Sequence, residues 1–477
     1  MMGRRLVLIN PPFQRRVQRI AQTSVGPPLG LAYLAAAVRA GGHEVEILDA
    51  NAMGWSVEEV SARAALREPH LVGITATTPT IDTAGAIAAS WKARNPGVPV
   101  VIGGPHATAL PQRTLREHPA VDLVALGEAE GSLVALLDAL AAGVMPGDVD
   151  VAGFVVRRTD GGFSEPGPAP VETDLDRLPI PARDLLPMDR YRCPDSDAFT
   201  TIMAMRGCPY DCSYCAVPVH FGQRIRYRDP ARVVAEMREV HETWGTRFFS
   251  FVDDTFTTRR SWVEEFASRL MAEGLHRRIR WICLTRVDLV DPELLATLRA
   301  AGCVRVELGI ESGSEAGRRY LRKGITEEDV LRAFRDARRA GLSTMGFIIL
   351  NIPGETAADV DATLDLAFRA DPDFLQVSML TPYPGTALWD DARAKGWITT
   401  EDWSRYVFLN QQVLDHGSAP PDEVLRRLER FHRRFYLRPR TAWKLARLVL
   451  RGTAEPGPML RTVVLGLRGL VSSRRRA

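Results

Sequence analysis

Apolar positions along residues 5–140 follow two alternating patterns. Short β-branched or apolar runs occupy 6–9, 44–48, 71–75, 98–102 and 121–125. Between them, residues 29–40, 57–67 and 83–94 repeat apolar positions at helical spacing. Strands alternating with helices predict βαβ units and an open parallel sheet covered on both faces. Ligands of such sheets sit at the carboxyl ends of the strands. The loops there are rich in small residues: Gly26-Pro27-Pro28, Thr75-Ala76-Thr77-Thr78, Gly103-Gly104-Pro105 and Gly127-Glu128. Any one of them reads as an ordinary turn. Four on one edge read as a ligand cradle, because glycine lets a ligand approach the backbone.

Residues 141–195 change character. Gly161, Gly162, Pro166, Pro168, Pro170, Pro179 and Pro181 break any long helix, and 151–157 reads as a small hairpin within a linker. From 196 to 400 the alternation resumes. Strands are expected at 201–205, 248–252, 280–284, 304–309, 344–350 and 374–379, with helices at 232–242, 262–271, 292–301 and 327–340. Six βα units suit a partial (β/α)6 barrel, and alternation alone leaves a second open sheet as the alternative. The segment 401–477 is polar, then helical and basic. The fold expectation is α/β: a Rossmann-like sheet, a partial TIM-type barrel and a helical C-terminal region.

With 477 residues, 45% apolar and 25% charged, the chain is ordinary globular material, not a disordered or disulfide-scaffold protein. Its net charge of +3 implies no nucleic acid by itself. The charge is uneven, however. Fifteen Lys and Arg face two acids from Arg426 onward. These are interleaved with Leu428, Phe431, Phe435, Trp443 and Leu450, and followed by an apolar stretch at 459–471 and by Arg474-Arg475-Arg476. A helical cap on the barrel, a membrane-surface helix and a nucleic-acid contact all fit this pattern. The last has no stacking platform or known motif to support it. The early break at Asn10-Pro11-Pro12 and the lack of a run of about 20 apolar residues argue for a cytoplasmic protein, membrane-associated if the tail binds lipid.

The six cysteines carry the strongest chemical signal. Three of them fall in Arg206-Gly207-Cys208-Pro209-Tyr210-Asp211-Cys212-Ser213-Tyr214-Cys215, directly after a predicted strand. Three thiolates on one loop hold three irons of a 4Fe-4S cluster and leave the fourth open. A structural zinc site needs a second cysteine hook, which the sequence lacks. Cys283 and Cys303 lie within predicted strands and read as core packing; Cys193 lies in the linker.

This C-x3-C-x2-C loop, with Tyr214 before its last cysteine, resembles the radical S-adenosylmethionine (SAM) superfamily over about residues 195–410. The resemblance implies that Cys208, Cys212 and Cys215 ligate the cluster and that SAM binds the open iron. It further implies SAM contacts from Tyr214, Asp253, Arg286, Gly309, Glu311 and Ser312. Glu311 would hold the ribose, and Arg286 the cofactor's carboxylate. Phe251-Val252-Asp253-Asp254 brings two adjacent acids to a barrel mouth, and Thr381-Pro382-Tyr383-Pro384-Gly385-Thr386 resembles the sixth-strand loop. One departure stands at Asn351, where relatives typically carry glycine.

The N-terminal fragments Gly26–Leu34, Gly103–Thr108 and Leu126–Glu130 are similar to the cobalamin-binding domain that precedes many radical SAM barrels. This implies corrin contacts from Thr75, Thr77, Thr78, Gly103, Gly104, Pro105, Gly127 and Glu128. The Asp-x-His-x-x-Gly motif that ligates cobalt through histidine is absent. His70 mimics the spacing but precedes a strand, and His106 reads as a packing histidine. The combined resemblance implies a cobalamin-dependent methyltransferase acting on carbon or phosphorus of a secondary metabolite or lipid. A radical cyclase or rearrangement enzyme is the alternative, and a cobalamin-responsive binding protein a third. An external electron donor of flavodoxin or ferredoxin type is implied as a partner.

Overall fold

A computed structural model describes residues 3–13, 24–408, 411–418, 421–461 and 464. The first sheet holds β1 (Arg5–Asn10), β2 (Glu44–Asp49), β3 (Leu71–Thr75), β4 (Val100–Gly103), β5 (Leu123–Ala125) and β6 (Phe154–Val156). Their spatial order is β2-β1-β3-β4-β5-β6. β1 to β5 are parallel; Leu6 pairs with both Val45 and Leu71. The order reverses between β1 and β3, which opens a crevice at their carboxyl ends. The run expected as a linker hairpin supplies β6, which pairs antiparallel with β5 through Leu123↔Val156 and also turns back on itself through Arg157↔Phe163. Phe154, Val155 and Val156 are all buried, so an added edge strand covers apolar surface that a free hairpin would leave wet.

The second sheet holds β7 (Phe199–Ile202), β10 (Phe248–Phe251), β11 (Arg280–Thr285), β12 (Cys303–Glu311), β13 (Ser343–Leu350) and β14 (Phe374–Met379), all parallel and in chain order. This is a partial (β/α)6 barrel. Between β7 and β10 lies a two-stranded antiparallel ribbon, β8 (Met205–Arg206) with β9 (Arg226–Tyr227). A single strand at 201–205 is therefore not what forms. β7 ends at Ile202, and the fully buried Asp253 takes the backbone amides of Ala204 (2.8 Å) and Met205. That turns the chain out of the sheet and into the cysteine loop.

Helix ends follow the sequence closely. Thr326 and Thr356 form capping boxes with Asp329 and Asp359, and Asp291 caps the helix that begins at Pro292. The barrel core is aromatic, with Phe251, Phe256, Phe266, Trp262 and Trp281 in mutual edge and stacked contacts. Cys283 and Cys303 belong to it. The two halves also share one apolar cluster, in which Phe199, Phe248, Ile282 and Val304 of the barrel meet Leu31, Ala35, Leu133 and Leu136.

The helix Pro421–Tyr436 packs Val424, Leu428, Phe431 and Phe435 onto the barrel, with Phe431 5.3 Å from Phe368. Each buried aromatic contributes about 1.5–3 kcal/mol. This part of the tail is a cap. The next helix, Pro439–Leu450, crosses the amino ends of the strands. Lys444 reaches the Asp371 carboxylate (2.9 Å) just before β14, and the Glu455 amide reaches the Asp195 carbonyl (2.8 Å) before β7. Of the expected apolar run 459–471 and Arg474–Arg476, everything from 462 on, apart from 464, lies outside the described residues.

Candidate functional site

Two cavities open at the carboxyl ends of the two sheets. The first, about 310 Å³, is walled by Cys208, Cys212, Cys215, Tyr214, Arg286, Gly309, Glu311 and Lys323. The second, about 370 Å³, is walled by Asn10, Thr75, Thr77, Gly103, Gly104, Gly127 and Glu128 from the first sheet, and by Met205, Arg206, His220 and Phe221 from the barrel side. Asp254 lines both.

The cysteine loop is anchored at several points. Gly207 has φ +90°, and a Cβ there would run into the carbonyl of Arg224, so only glycine fits. The Ser213 hydroxyl donates to the Tyr320 carbonyl (3.0 Å), and the Leu388 amide donates to the Ser213 carbonyl (2.8 Å). Burial pushes the Cys215 thiol up to about 12 and raises that of Cys212 as well. Left alone, these sulfurs stay protonated; a bound iron–sulfur cation core is the kind of group that draws out their thiolates. Among the described residues no three His, Cys, Asp or Glu side chains converge on a single-ion position. The donor set, three soft sulfurs on one wall, suits a cluster with one open iron.

Around it stand groups suited to a zwitterion. Glu311 ends β12 with φ +61° and pairs with Lys323 at 2.9 Å, and burial together with its carboxylate holds the Tyr214 phenol well above its ordinary range. Burial disfavours the Lys323 ammonium, but Glu311 and Cys212 together outweigh it and hold that group above its ordinary range. Arg286 lies 3.8 Å over the Tyr210 ring, grips Asp288 through two bonds of 3.0 Å and donates to the Lys323 carbonyl (2.7 Å). Its Nη1 is buried without a partner, a donor available to a carboxylate in the cavity.

Four expected contacts sit elsewhere. Asp253 is turned to backbone amides and does not line the cavity, whereas its neighbour Asp254 does. Ser312 is fully buried behind the wall, donating to Glu355 at 2.5 Å. In the first half, Thr78 faces His106 (3.3 Å), and Pro105 opens the short helix Pro105–Ala109. Neither lines the second cavity. Glu128 lines it but spends its carboxylate on Arg206 (2.6 Å) and Arg226.

Residues that sequence reasoning missed include Lys323, Thr285, Gln376 and Ser378 in the first cavity, and Asn10, Tyr33 and His220 in the second. Asn10 is the last residue before Pro11-Pro12, Tyr33 lies within the Gly26–Leu34 fragment and Thr285 directly precedes Arg286; the others carry no local signal. Asn351 has φ +67°, the left-handed region where glycine is at home and asparagine is among the best-tolerated other residues. Its Nδ2 donates to the Leu414 carbonyl (2.9 Å), a tie that glycine cannot make.

In the second cavity Gly104 has φ +103°, and a Cβ would lie 2.6 Å from the Ala76 carbonyl oxygen. The end of β4 therefore packs against the backbone that follows β3 in a way only glycine allows. His106 is buried against Trp403 (4.7 Å between ring centroids), and burial pushes it down to about 4. His70 accepts the Arg5 amide (2.9 Å) at the amino end of β3. Both are packing or hydrogen-bonding histidines, and neither lines this cavity.

An open sheet with a glycine-lined edge, fused to a partial barrel with a cysteine-lined mouth, defines a two-cofactor radical enzyme. The Radical SAM superfamily matches residues 202–367, and the B12 binding domain matches residues 16–137. An uncharacterized methyltransferase of Pyrococcus horikoshii is 35% identical, over 92% of this chain and 94% of that protein. The anaerobic magnesium-protoporphyrin IX monomethyl ester cyclase of Rubrivivax gelatinosus is 30% identical, over 91% and 77%. Among solved structures, the radical S-adenosylmethionine methyltransferase TsrM from Kitasatospora setae, with cobalamin and a [4Fe-4S] cluster bound, superposes with a TM-score of 0.70. Identity there is 22%, over 90% of this chain and 85% of that one, so the likeness is one of fold. The chain belongs to the cobalamin-binding branch of the radical SAM enzymes.

Asp253 makes a test of this architecture. Asp253→Ala leaves two buried amides unpaired, at about 1–3 kcal/mol each. Burial pushes its carboxyl up to about 7. The folded chain thus keeps a proton that the unfolded chain releases between about pH 4 and 7, and stability falls as pH rises through that window. Asp253→Asn keeps an acceptor for the amides and is expected to flatten that part of the pH–stability curve. Thermal unfolding of the three proteins between pH 5 and 8 checks both expectations.

Proposed function

We propose that the protein transfers a methyl group to an unactivated carbon, or phosphorus, of a small molecule of secondary-metabolite or lipid type. The carrying observation is that the cysteine-lined and glycine-lined cavities meet at Asp254. When bound, SAM on the cluster supplies a hydrogen-abstracting radical, and cobalamin supplies a methyl group. The protein's part is to hold a substrate between them. Arg286 Nη1 and the Glu311–Lys323 pair orient the charged cofactor. Phe347, Ile348, Ile349 and Met379 exclude water from the same cavity. Asp254, which burial pushes up to about 6, is ionised at neutral pH where the two cavities join.

The likeness to the cyclase favours a second reading, radical cyclisation or rearrangement without methyl transfer. Product analysis separates them. The anaerobically reconstituted protein, given iron, sulfide, hydroxocobalamin, SAM and a flavodoxin- or ferredoxin-type donor, is assayed with candidate substrates. S-adenosylhomocysteine alongside 5′-deoxyadenosine supports methyl transfer. 5′-Deoxyadenosine alone supports the cyclase reading, and cobalamin binding without SAM cleavage leaves a cobalamin-responsive binding protein.

The tail adds a partner to this proposal. Trp443 (63%), Leu450 (77%) and Leu460 (65%) are exposed beside Arg440, Arg451 and Arg461. No helix among the described residues is long and apolar enough to cross a membrane. A basic surface with exposed Trp and Leu suits an anionic membrane. Because it covers the amino ends of the strands, it would anchor the enzyme with its cavities facing away from the lipid. Replacing Trp443, Leu450 and Leu460 together by serine is expected to weaken binding to phosphatidylglycerol vesicles about tenfold or more. Co-sedimentation in low salt checks it; unchanged binding removes the membrane contact.

A further inference from the structure

The loop that carries the cysteines is a wall of both cavities. β8 and β9 close its stem through Met205↔Tyr227 and Arg206↔Arg226. The loop between them gives Cys208, Cys212 and Cys215 to the first cavity, and His220 and Phe221 to the second. Both stem arginines are buried, each 4% exposed. The first half of the chain holds them. Arg206 donates to Glu128 and to Glu130, each at 2.6 Å. Arg226 donates to both oxygens of Glu128, one at 3.0 Å, and to the Glu172 carbonyl at 2.6 Å. Glu128 follows β5 directly after Gly127, and Glu130 begins the helix Glu130–Ala141. Both line the second cavity.

Four buried charges thus compensate one another across the two halves of the chain. Removing one leaves its partner desolvated and unpaired, so the arrangement holds together as a unit. A ligand filling the second cavity packs against Glu128, Glu130, Arg206, His220 and Phe221 at once. It therefore restrains the stem of the loop whose other face presents the cluster sulfurs.

We propose that this clamp makes the loading of the two cofactors interdependent: cobalamin in the second cavity stabilises the cluster on the cysteine loop. The inference rests on the cofactor assignment made above. Linkage is reciprocal, so the cluster must tighten cobalamin binding by the same factor. A clamp that served only to join two domains would stabilise the fold and leave each cofactor indifferent to the other.

The test uses the full chain, with hydroxocobalamin and the reconstituted cluster as probes. Iron release to a ferrous chelator is timed with and without hydroxocobalamin. Hydroxocobalamin affinity is measured with and without the cluster. In the wild type hydroxocobalamin is expected to slow iron release, and the cluster to tighten hydroxocobalamin binding, each by about fivefold or more. Glu130→Gln and Arg226→Met are expected to bring both ratios toward one. Arg226→Lys, which keeps the charge but not the two-pronged contact, falls between. Wild-type ratios of one, with both cofactors bound, overturn the inference and leave the proposed function standing. Variants that keep the wild-type ratios overturn it too. A wild type that binds neither cofactor overturns the proposed function, and this inference with it.

Discussion

Replacing any one of Cys208, Cys212 or Cys215 by alanine is expected to yield a folded protein with no stable 4Fe-4S cluster and no 5′-deoxyadenosine. The loop supplies three soft donors to one cavity wall, and three are the minimum that holds such a cluster while leaving an iron open. No nearby cysteine can substitute. Cys283 and Cys303 are buried within the barrel core, and Cys193 is buried in the apolar cluster between the two halves. Alanine at Cys193, Cys283 or Cys303 makes the control, since it removes packing volume but no sulfur from the cavity. Iron content, the cluster's visible absorption and SAM cleavage check this together. One cysteine-loop variant with full iron and full 5′-deoxyadenosine would sink the assignment.

The fold was legible where each strand's pattern answered to its own burial. β3 and β14 fall on their expected bounds, each run opening directly after a polar residue, His70 or Asp373. Misreadings arose where a distant group overruled the local pattern. Residues 201–205 look like one strand, but Asp253, about fifty positions later, captures the amides of Ala204 and Met205 and ends it early. Residues 154–156 look like half of a hairpin; they do turn back toward Phe163, and the open edge of β5 takes their other side, which the local pattern does not show.

The site divides along the same line. The cysteine triad, Glu311 and Arg286 lie at strand ends within recognisable motifs, and all of them line the first cavity. Of two adjacent acids, the sequence had no means to tell which faces inward. Both lie past the end of β10 at Phe251, where Asp253 turns to the backbone amides of Ala204 and Met205 and Asp254 meets both cavities. Lys323 carries no motif; only the fold brings it to Glu311. Glu128 read as a corrin contact because it follows a glycine at a strand end. Its second role, the pairing with Arg206 and Arg226, is set by packing between residues 78 and 98 positions apart.

Glu311→Ala is expected to weaken SAM binding by about a hundredfold or more while leaving cobalamin affinity without the cluster unchanged. Glu311 is 5% exposed, and its carboxylate is the partner of Lys323. Taking it away strands a buried ammonium, a change that costs about 3–5 kcal/mol when the charge stays in place. Lys323 then swings toward water or loses its proton. Either response removes the arrangement of opposite charges beside Arg286 that a zwitterionic cofactor needs. Glu311→Gln keeps a hydrogen-bonding oxygen but not the charge, so it is expected to retain part of the affinity. The cluster sulfurs are untouched by either change, and iron content is expected to stay near the wild-type value. Equilibrium dialysis with SAM on the reconstituted protein reads the loss directly. Wild-type SAM affinity in Glu311→Ala would show that the carboxylate only steadies Lys323 and the wall behind it, and would move the cofactor's contacts to Arg286 and the sixth-strand loop.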